Sequence, residues 1–238
     1  MQSKSVPAEI CGLAIETSGR LGAVAITRDG VVLAEDSFAH GLKHAAEMVP
    51  RIDRLLQASG WKPNDIDEIY ISIGPGSFTG LRIGITLAKT LSFATGAKII
   101  AVPTLDVLAR NSPPDARDVV IVLDAKRDQI FTARFHRPSE NANWETIEPA
   151  HLDSLTAMLA RSPRPVCLIG EGIPFHEKFI PAADPSVIVT SEDSWRASVR
   201  VVSDLGYRIA RDGKFTEAET LIPLYIRKPE AEEKYVGK

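Results

Sequence analysis

The sequence predicts an α/β fold in which two lobes repeat one arrangement of strands and helices. The first observation is the order of elements in residues 10–102, where three successive strands precede an alternation of helix and strand. The second is that a strand, a polar turn and a strand occur again after residue 118. The composition agrees, because 44% hydrophobic and 25% charged residues over 238 positions are typical of a globular protein that builds its own core.

Hydrophobic periodicity places the elements of the first half. Apolar runs separated by a polar break and by the Asp29–Gly30 turn predict three strands that meander, since Asp-Gly suits a tight hairpin. A helical period follows, and two more strands alternate with two helices. The predicted strands are 10–15, 21–27, 31–38, 66–73 and 98–102, and the predicted helices are 44–58 and 80–95. This is the element order of a ribonuclease-H-like unit.

The second half restarts the same theme and indicates a weak internal repeat. Strands are predicted at 119–123, 129–135 and 166–169, with helices at 153–161 and 195–211. The boundary falls at the proline-rich stretch Asn111–Asp115. Residues 1–110 are therefore expected to form the N-terminal ribonuclease-H-like lobe, and 111–194 a smaller C-terminal lobe. The helix near 195–212 is expected to pack on the first lobe, and 228–238 is expected to be a flexible, charged tail.

Charge and apolar content limit the class of protein. The net charge of −3 and the pI of about 6.0 do not fit a chain that binds nucleic acid by itself. The start of the chain has no basic stretch followed by an apolar one, and no apolar run is long enough to span a bilayer. We therefore expect a cytoplasmic protein without membrane association.

A glycine-rich turn between a predicted strand and a predicted helix is the strongest local signal. Its backbone amides would lie at a helix N-terminus, where anions are favoured, and Ser77 or Thr79 could cap the helix. One interpretation is a phosphate cradle formed by Gly74, Gly76, Ser77 and Thr79. The other is a tight turn whose glycines let helix and strand approach, since no Gly-Lys-Ser/Thr follows to complete a P-loop.

Two polar turns occupy matching positions in the two halves. Glu16, Thr17 and Ser18 follow the first strand, and Asp124 follows the strand that restarts the pattern. In two-lobed ATPases such turns bring a carboxylate to Mg²⁺ and backbone donors to phosphate. The alternative is that these are ordinary polar residues at strand ends.

The two helices of the first half are candidates for a partner surface. The second is apolar nearly all round, and such a helix must be buried on more than one face. Gly84 and Ala88, four residues apart, suggest a groove where another helix could pack closely. The predicted interface comprises Ala45, Met48, Ile52, Leu55, Leu81, Gly84, Ile85 and Ala88. The alternative is that these residues pack inside the lobe.

No metal site or catalytic constellation is predicted. His40 and His44 have the spacing of a helical ligand pair, but Gly41 argues that the helix begins after His40, and no third ligand is near. There is no Gly-x-Ser-x-Gly elbow, and neither Cys11 nor Cys167 has a neighbouring histidine.

Several segments together resemble the TsaB family, also called YeaZ. The resemblance covers nearly the whole chain, and the run from Gly74 to Gly84 is its most specific part. It departs from the usual family pattern at Glu16, where aspartate is usual, and at Lys126, where arginine is usual. The segments that carry the resemblance are Leu13–Ser18, His44–Pro50, Gly74–Gly84, Val122–Arg127 and Pro223–Arg227.

The resemblance implies an actin-like, sugar-kinase-like ATPase fold in shortened form, and kinship with the catalytic subunit TsaD. TsaD-like proteins carry a metal-binding His-x-x-x-His in the stretch that corresponds to 103–109 here, where this chain has Thr104 and Leu108. The resemblance therefore implies a non-catalytic scaffold that pairs with TsaD and with the small ATPase TsaE, and meets tRNA only through the complex. ATP or ADP and the metal would belong to the partner subunits, and the isolated chain would form a homodimer.

Two other functions are possible on the same fold. A stand-alone ATP-dependent kinase or ATPase would need an adenosine-binding segment, and Gly170–Gly172 is the one candidate that the sequence offers. A metallopeptidase would need the histidine pair that is missing at Thr104 and Leu108. The affinity for ATP and the metal content would separate these functions from a scaffold.

Overall fold

The computed structural model describes residues 9–39 and 44–227, and within these ranges the chain forms two α/β lobes. His40 and the predicted flexible tail at 228–238 lie outside the described residues. The elements of the first lobe are β1 (Cys11–Glu16), β2 (Leu21–Arg28), β3 (Val31–Ala39), α1 (His44–Ala58), β4 (Glu68–Ser72), α2 (Phe78–Thr95) and β5 (Lys98–Val102).

The first sheet has the strand order β3-β2-β1-β4-β5. β2 is antiparallel to both β1 and β3, whereas β1, β4 and β5 run parallel to one another. The hairpin between β2 and β3 turns at Asp29 and Gly30, both with positive φ (50° and 80°), as the Asp-Gly signal predicts. The meander followed by parallel strands is the ribonuclease-H-like arrangement that the element order indicates.

The first sheet is covered on both faces. α1 and α2 lie on one face, as right-handed crossovers require, and bury residues such as Met48, Ile52 and Ile85 in a core with β1, β2 and β4. The other face is covered by α6 (Val199–Arg211), whose Val202 and Leu205 pack with Ala14 and Tyr70. The helix near the end of the chain therefore completes the first lobe.

The second lobe repeats the arrangement. Its elements are β6 (Asp118–Ile121), β7 (Leu123–Asp124), β8 (Ile130–His136), β9 (Glu145–Asp153), α4 (Leu155–Arg161), β10 (Val166–Ile169), α5 (Ile173–His176) and β11 (Val187–Val189). The strand order is β11-β10-β6-β8, and β7 and β9 each pair antiparallel with β8. β6 pairs antiparallel with β8 and parallel with β10, as β1 pairs with β2 and β4. The internal repeat is therefore real.

A short helix lies between the two sheets. This helix, α3 (Thr104–Arg110), has Val107 in the core of the first sheet and Leu105 and Leu108 in the core of the second. Paired lobes of this kind are the architecture of the actin-like, sugar-kinase-like ATPase fold. Within the described ranges, none of the helices is both long enough and apolar enough to cross a membrane.

Some predicted boundaries are wrong for identifiable reasons. α2 begins at Phe78 rather than Gly80, because the Ser77 hydroxyl accepts the Gly80 N–H at 3.2 Å and caps the helix. α6 begins at Val199 rather than Trp195, because Trp195 closes a 3-10 turn and donates its indole N–H to the Thr190 carbonyl at 2.9 Å. The strand β9 has no sequence counterpart in the prediction, since its residues alternate weakly and are largely exposed or half-buried.

Candidate functional site

The glycine-rich turn at the start of α2 packs onto the turn that follows β1. A side chain at Gly76 would overlap the Ser18 carbonyl, and one at Gly80 would overlap the Thr17 carbonyl. The Ser77 N–H donates to that Ser18 carbonyl at 2.7 Å. The glycines therefore bring helix and strand together, and one amide of the predicted phosphate cradle already binds the chain itself.

The remaining cradle residues also have local roles. The Gly74 N–H donates to the hydroxyl of buried Thr104 at 3.0 Å, and Gly74 has a positive φ of 106°. Ser77 is the helix cap, whereas Thr79 is exposed in the first turn of α2. No ligand contact is therefore needed to explain the positions of Gly74 and Ser77.

Glu16 is buried beneath this turn, with 1% of its surface exposed. Its Oε1 accepts the Ser18 backbone N–H at 2.5 Å and the Ser18 hydroxyl at 2.6 Å. Its Oε2 has no hydrogen-bond partner within the described residues. Burial raises the pKa of Glu16 despite the hydrogen bonds from Ser18. The carboxyl of Glu16 therefore points into the protein rather than into the cleft where a Mg²⁺ ligand would be needed.

The cleft between the lobes holds a cavity of about 380 Å³. Asp124 lines it and is bound on two sides, by the Lys126 ammonium at 2.7 Å and by Nε2 of buried His176 at 3.3 Å. Burial works to raise the pKa of Asp124, but the hydrogen bonds from Lys126 and His176 hold it below its usual value. Asp124 is thus an ionised carboxylate whose oxygens already have donors.

An aromatic ring and two cations meet at the mouth of this cleft. The Arg20 guanidinium lies 5.2 Å from the centre of the Phe175 ring, and the Lys126 ammonium lies 5.3 Å from it. Glu171 accepts the Arg20 backbone N–H at 3.1 Å. Residues of both lobes therefore meet across the cleft. No sequence motif marks Arg20 or Phe175, although the Gly170–Gly172 segment beside Phe175 is a predicted candidate for adenosine binding.

The predicted partner surface is wrongly placed. A side chain at Gly84 would overlap the Thr17 hydroxyl and lie 3.2 Å from the Ile71 methyl, and Ala88 is fully buried in the core of the first sheet. The stripe that contains both residues faces the lobe's own sheet because the glycines allow the close approach. Met48, Ile52, Leu81 and Ile85 are likewise buried, Leu55 is half-buried against that core, and the Ala45 side chain lies outside the described residues.

An exposed apolar groove lies on the opposite side of the same two helices. Val49 of α1 is 53% exposed, and Ile83 and Leu87 of α2 are half-buried beside it. The groove has a volume of about 350 Å³, and its floor includes Met48. Its lining residues are Met48, Val49, Arg82, Ile83, Thr86, Leu87 and Thr90. We call this surface the α1–α2 groove.

The C-terminal segment Leu224–Arg227 connects both lobes. The Leu224 N–H donates to the Ile73 carbonyl at 2.8 Å in the first lobe. The Arg227 guanidinium donates to the Ala125 carbonyl at 2.5 Å and to the Gln129 side chain in the second lobe. The same segment carries Tyr225, whose hydroxyl accepts the Arg82 Nε–H at 2.9 Å at the edge of the α1–α2 groove.

Comparison with known proteins gives the family. Residues 39–179 match the family model described as TsaD: tRNA N6-adenosine threonylcarbamoyltransferase. The chain is 30% identical over 229 residues to the tRNA threonylcarbamoyladenosine biosynthesis protein TsaB of Bacillus subtilis (strain 168), covering 94% of this chain and 97% of that protein. It is 33% identical over 138 residues to the TsaB protein of Escherichia coli (strain K12), covering 57% of this chain and 59% of that protein.

Solved structures agree with this result. The structure described as YeaZ from Pseudomonas aeruginosa has a TM-score of 0.72 and 25% sequence identity, covering 91% of this chain and 99% of that one. A second Pseudomonas aeruginosa structure, described as similar to peptidase YEAZ, has a TM-score of 0.74 at 23% identity, which shows the shared fold. The chain belongs to the TsaB (YeaZ) family of tRNA threonylcarbamoyladenosine biosynthesis proteins.

Proposed function

We propose that this chain is a non-catalytic subunit that binds a TsaD-type catalytic subunit and activates it for threonylcarbamoylation of tRNA. The observation that carries the proposal is the exposed apolar α1–α2 groove. In the full assembly a TsaE-type ATPase joins the pair, and tRNA meets this chain only through the complex. ATP or ADP and the catalytic metal belong to the partner subunits. The cytoplasmic location expected from the sequence stays a prediction.

The size and shape of the groove support a helical partner. α2 has 18 residues, so it presents an edge about 27 Å long beside α1. A stable interface buries about 800 Å² on each partner, which two helices of this length can supply. Two helices of the catalytic subunit would complete a four-helix contact with Val49, Ile83 and Leu87 at its centre.

The residues at the expected metal-ligand positions have structural roles, which supports a non-catalytic subunit. Thr104 is buried and its hydroxyl accepts the Gly74 N–H at 3.0 Å. Leu108 is 1% exposed and belongs to the core of the second sheet. Both residues line the cleft between the lobes, but the Thr104 hydroxyl is already hydrogen-bonded and Leu108 has no ligand atom, so the pair does not supply the two histidine ligands that the metallopeptidase alternative requires.

The same groove gives an expectation for the isolated chain. Without its partner, Val49, Ile83 and Leu87 face water, and apolar patches of this kind favour association. A homodimer through the α1–α2 groove would bury them. The catalytic subunit and a second copy of this chain would then compete for the same groove.

The test places a charge in the centre of the groove. Val49→Arg should weaken binding to the TsaD-type subunit of the same organism by about 100-fold, because a charge would be buried without a partner. Val31→Arg is the matched control, since Val31 is 66% exposed on the edge strand β3. Calorimetry measures the affinity for the catalytic subunit, and sedimentation measures how much homodimer forms. Thermal unfolding checks that each variant is folded.

A modification assay with each subunit left out completes the test. We expect no modified tRNA from this chain alone and full activity only with the catalytic subunit present. Modification by this chain alone would contradict a non-catalytic role. A folded Val49→Arg protein that binds the catalytic subunit like the wild type would contradict the groove.

A further inference from the structure

A single stacked arginine stands at one end of the α1–α2 groove. We propose that Arg82 receives a carboxylate of the TsaD-type subunit and thereby sets the register of that subunit in the groove. This inference rests on the proposed function and adds the chemistry of one contact.

The lining of the groove makes Arg82 distinct. Its other described members are apolar or carry hydroxyls, as in Met48, Ile83, Leu87 and Thr86, and Arg82 is the one charged side chain among those described. A helical partner that covers this surface also removes Arg82 from water. An arginine that loses its water needs an anion, since a buried charge without a partner is costly.

The guanidinium of Arg82 is held in place before any partner arrives. It stacks on the Phe78 ring with 3.8 Å between its central carbon and the ring centre, and its Nε donates to the Tyr225 hydroxyl at 2.9 Å. The Phe78 and Tyr225 rings lie 5.5 Å apart and form one aromatic support. Such a support lowers the entropy that is lost when the guanidinium binds.

The outer edge of the guanidinium remains available. Within residues 9–39 and 44–227, no carboxylate pairs with Arg82, and its terminal nitrogens have no acceptor. The neighbouring arginine of α1 is different, because Arg51 binds Asp36 at 2.5 Å and Glu47 at 3.3 Å. Arg82 therefore presents two parallel N–H groups, which match the two oxygens of a carboxylate.

A protein carboxylate fits this position better than an RNA phosphate. Contact with a nucleic acid backbone usually involves several cations, because phosphates lie close together along the strand. Arg82 has apolar residues and hydroxyls around it in the groove, and the chain has a net charge of −3. One planar cation at the end of an apolar helix groove is instead typical of a protein interface.

The deciding variant is Arg82→Gln, measured by calorimetry with the TsaD-type subunit. We expect binding to weaken by about 30-fold or more, because the partner's carboxylate would be left buried without its cation. Arg54→Gln is the matched control on α1. Arg54 is exposed and pairs with Asp36, outside the groove lining, so this variant should bind within about twofold of wild type.

Charge exchange identifies the partner group. Arg82→Glu should abolish binding, and a single acidic-to-lysine substitution on the contacting helices of the catalytic subunit should restore it. Restoration by one such substitution supports the proposal. Failure of every acidic position on those helices to restore binding would overturn it.

The outcomes also separate this proposal from the groove itself. If Val49→Arg abolishes binding while folded Arg82→Gln binds like the wild type, the carboxylate contact is wrong and the groove stands. If both variants bind like the wild type, the groove has failed as well. If Arg82→Gln leaves subunit binding intact but weakens tRNA binding by the complex, Arg82 contacts RNA phosphate and the proposal is overturned.

Discussion

At the scale of single residues, Glu16 is a carboxyl group that the fold buries beneath the turn after β1. Its Oε1 accepts two hydrogen bonds from Ser18, and its Oε2 has no hydrogen-bond partner within the described residues. Because burial raises its pKa, the folded chain keeps a proton that the unfolded chain releases. This contribution to stability is complete below the ordinary pKa of glutamate and is lost as the pH rises through the raised value.

The substitution Glu16→Gln should therefore stabilise the protein at neutral pH. The amide keeps an oxygen for Ser18 and carries no charge, so we expect about 1 kcal/mol of added stability at pH 7. The difference should vanish at about pH 3, below the ordinary pKa of glutamate, where Glu16 is protonated in both the folded and the unfolded chain. Urea unfolding at the two pH values measures it, with exposed Glu192→Gln as control. An equal change in stability at both pH values would contradict a raised pKa for Glu16.

At the scale of elements, the face of α2 that meets the sheet is selected by its glycines. Gly84→Ala would ordinarily favour a helix, but here the added methyl meets Thr17 and Ile71. We expect a loss of about 1–3 kcal/mol, as for other overpacked cores. Thr86→Ala, on the exposed face of the same helix, should change stability by less than about 0.5 kcal/mol. Thermal unfolding compares the two, and a stabilised Gly84→Ala protein would show that the helix stands further from β1.

The same helix shows how much the sequence predicts. Its existence, most of its span and its burial on more than one side follow from an apolar pattern that runs nearly all round it. The pattern does not say which side meets the sheet, and the prediction assigned Gly84 and Ala88 to the partner. Glycines at 76, 80 and 84, four residues apart, favour the alternative of packing inside the lobe, since each lies close to Thr17 or Ser18. Tyr225 is distant in sequence from Arg82, and a local hydrophobic pattern does not predict contacts between distant residues.

At the scale of the whole molecule, several polar groups that a nucleotide in the cleft would need are already engaged within the chain. Glu16 is turned inward, Asp124 is held by Lys126 and His176, and the Ser77 amide is bound to Ser18. We expect the isolated chain to bind Mg-ATP with a dissociation constant above about 1 mM, which corresponds to a binding free energy weaker than about −4 kcal/mol. Calorimetry with and without Mg²⁺ measures this. Micromolar, Mg²⁺-dependent affinity would favour the stand-alone ATPase alternative.

The position of α6 has a consequence for synthesis of the protein. The face of the first sheet that carries Ala14, Tyr70 and Ile100 is covered by residues 199–211, which follow the second lobe in the chain. While the ribosome is still making the second lobe, α6 is not yet present to cover this face. The first lobe therefore cannot complete its core co-translationally before the second lobe is made, and the nascent chain carries an apolar sheet face until α6 emerges.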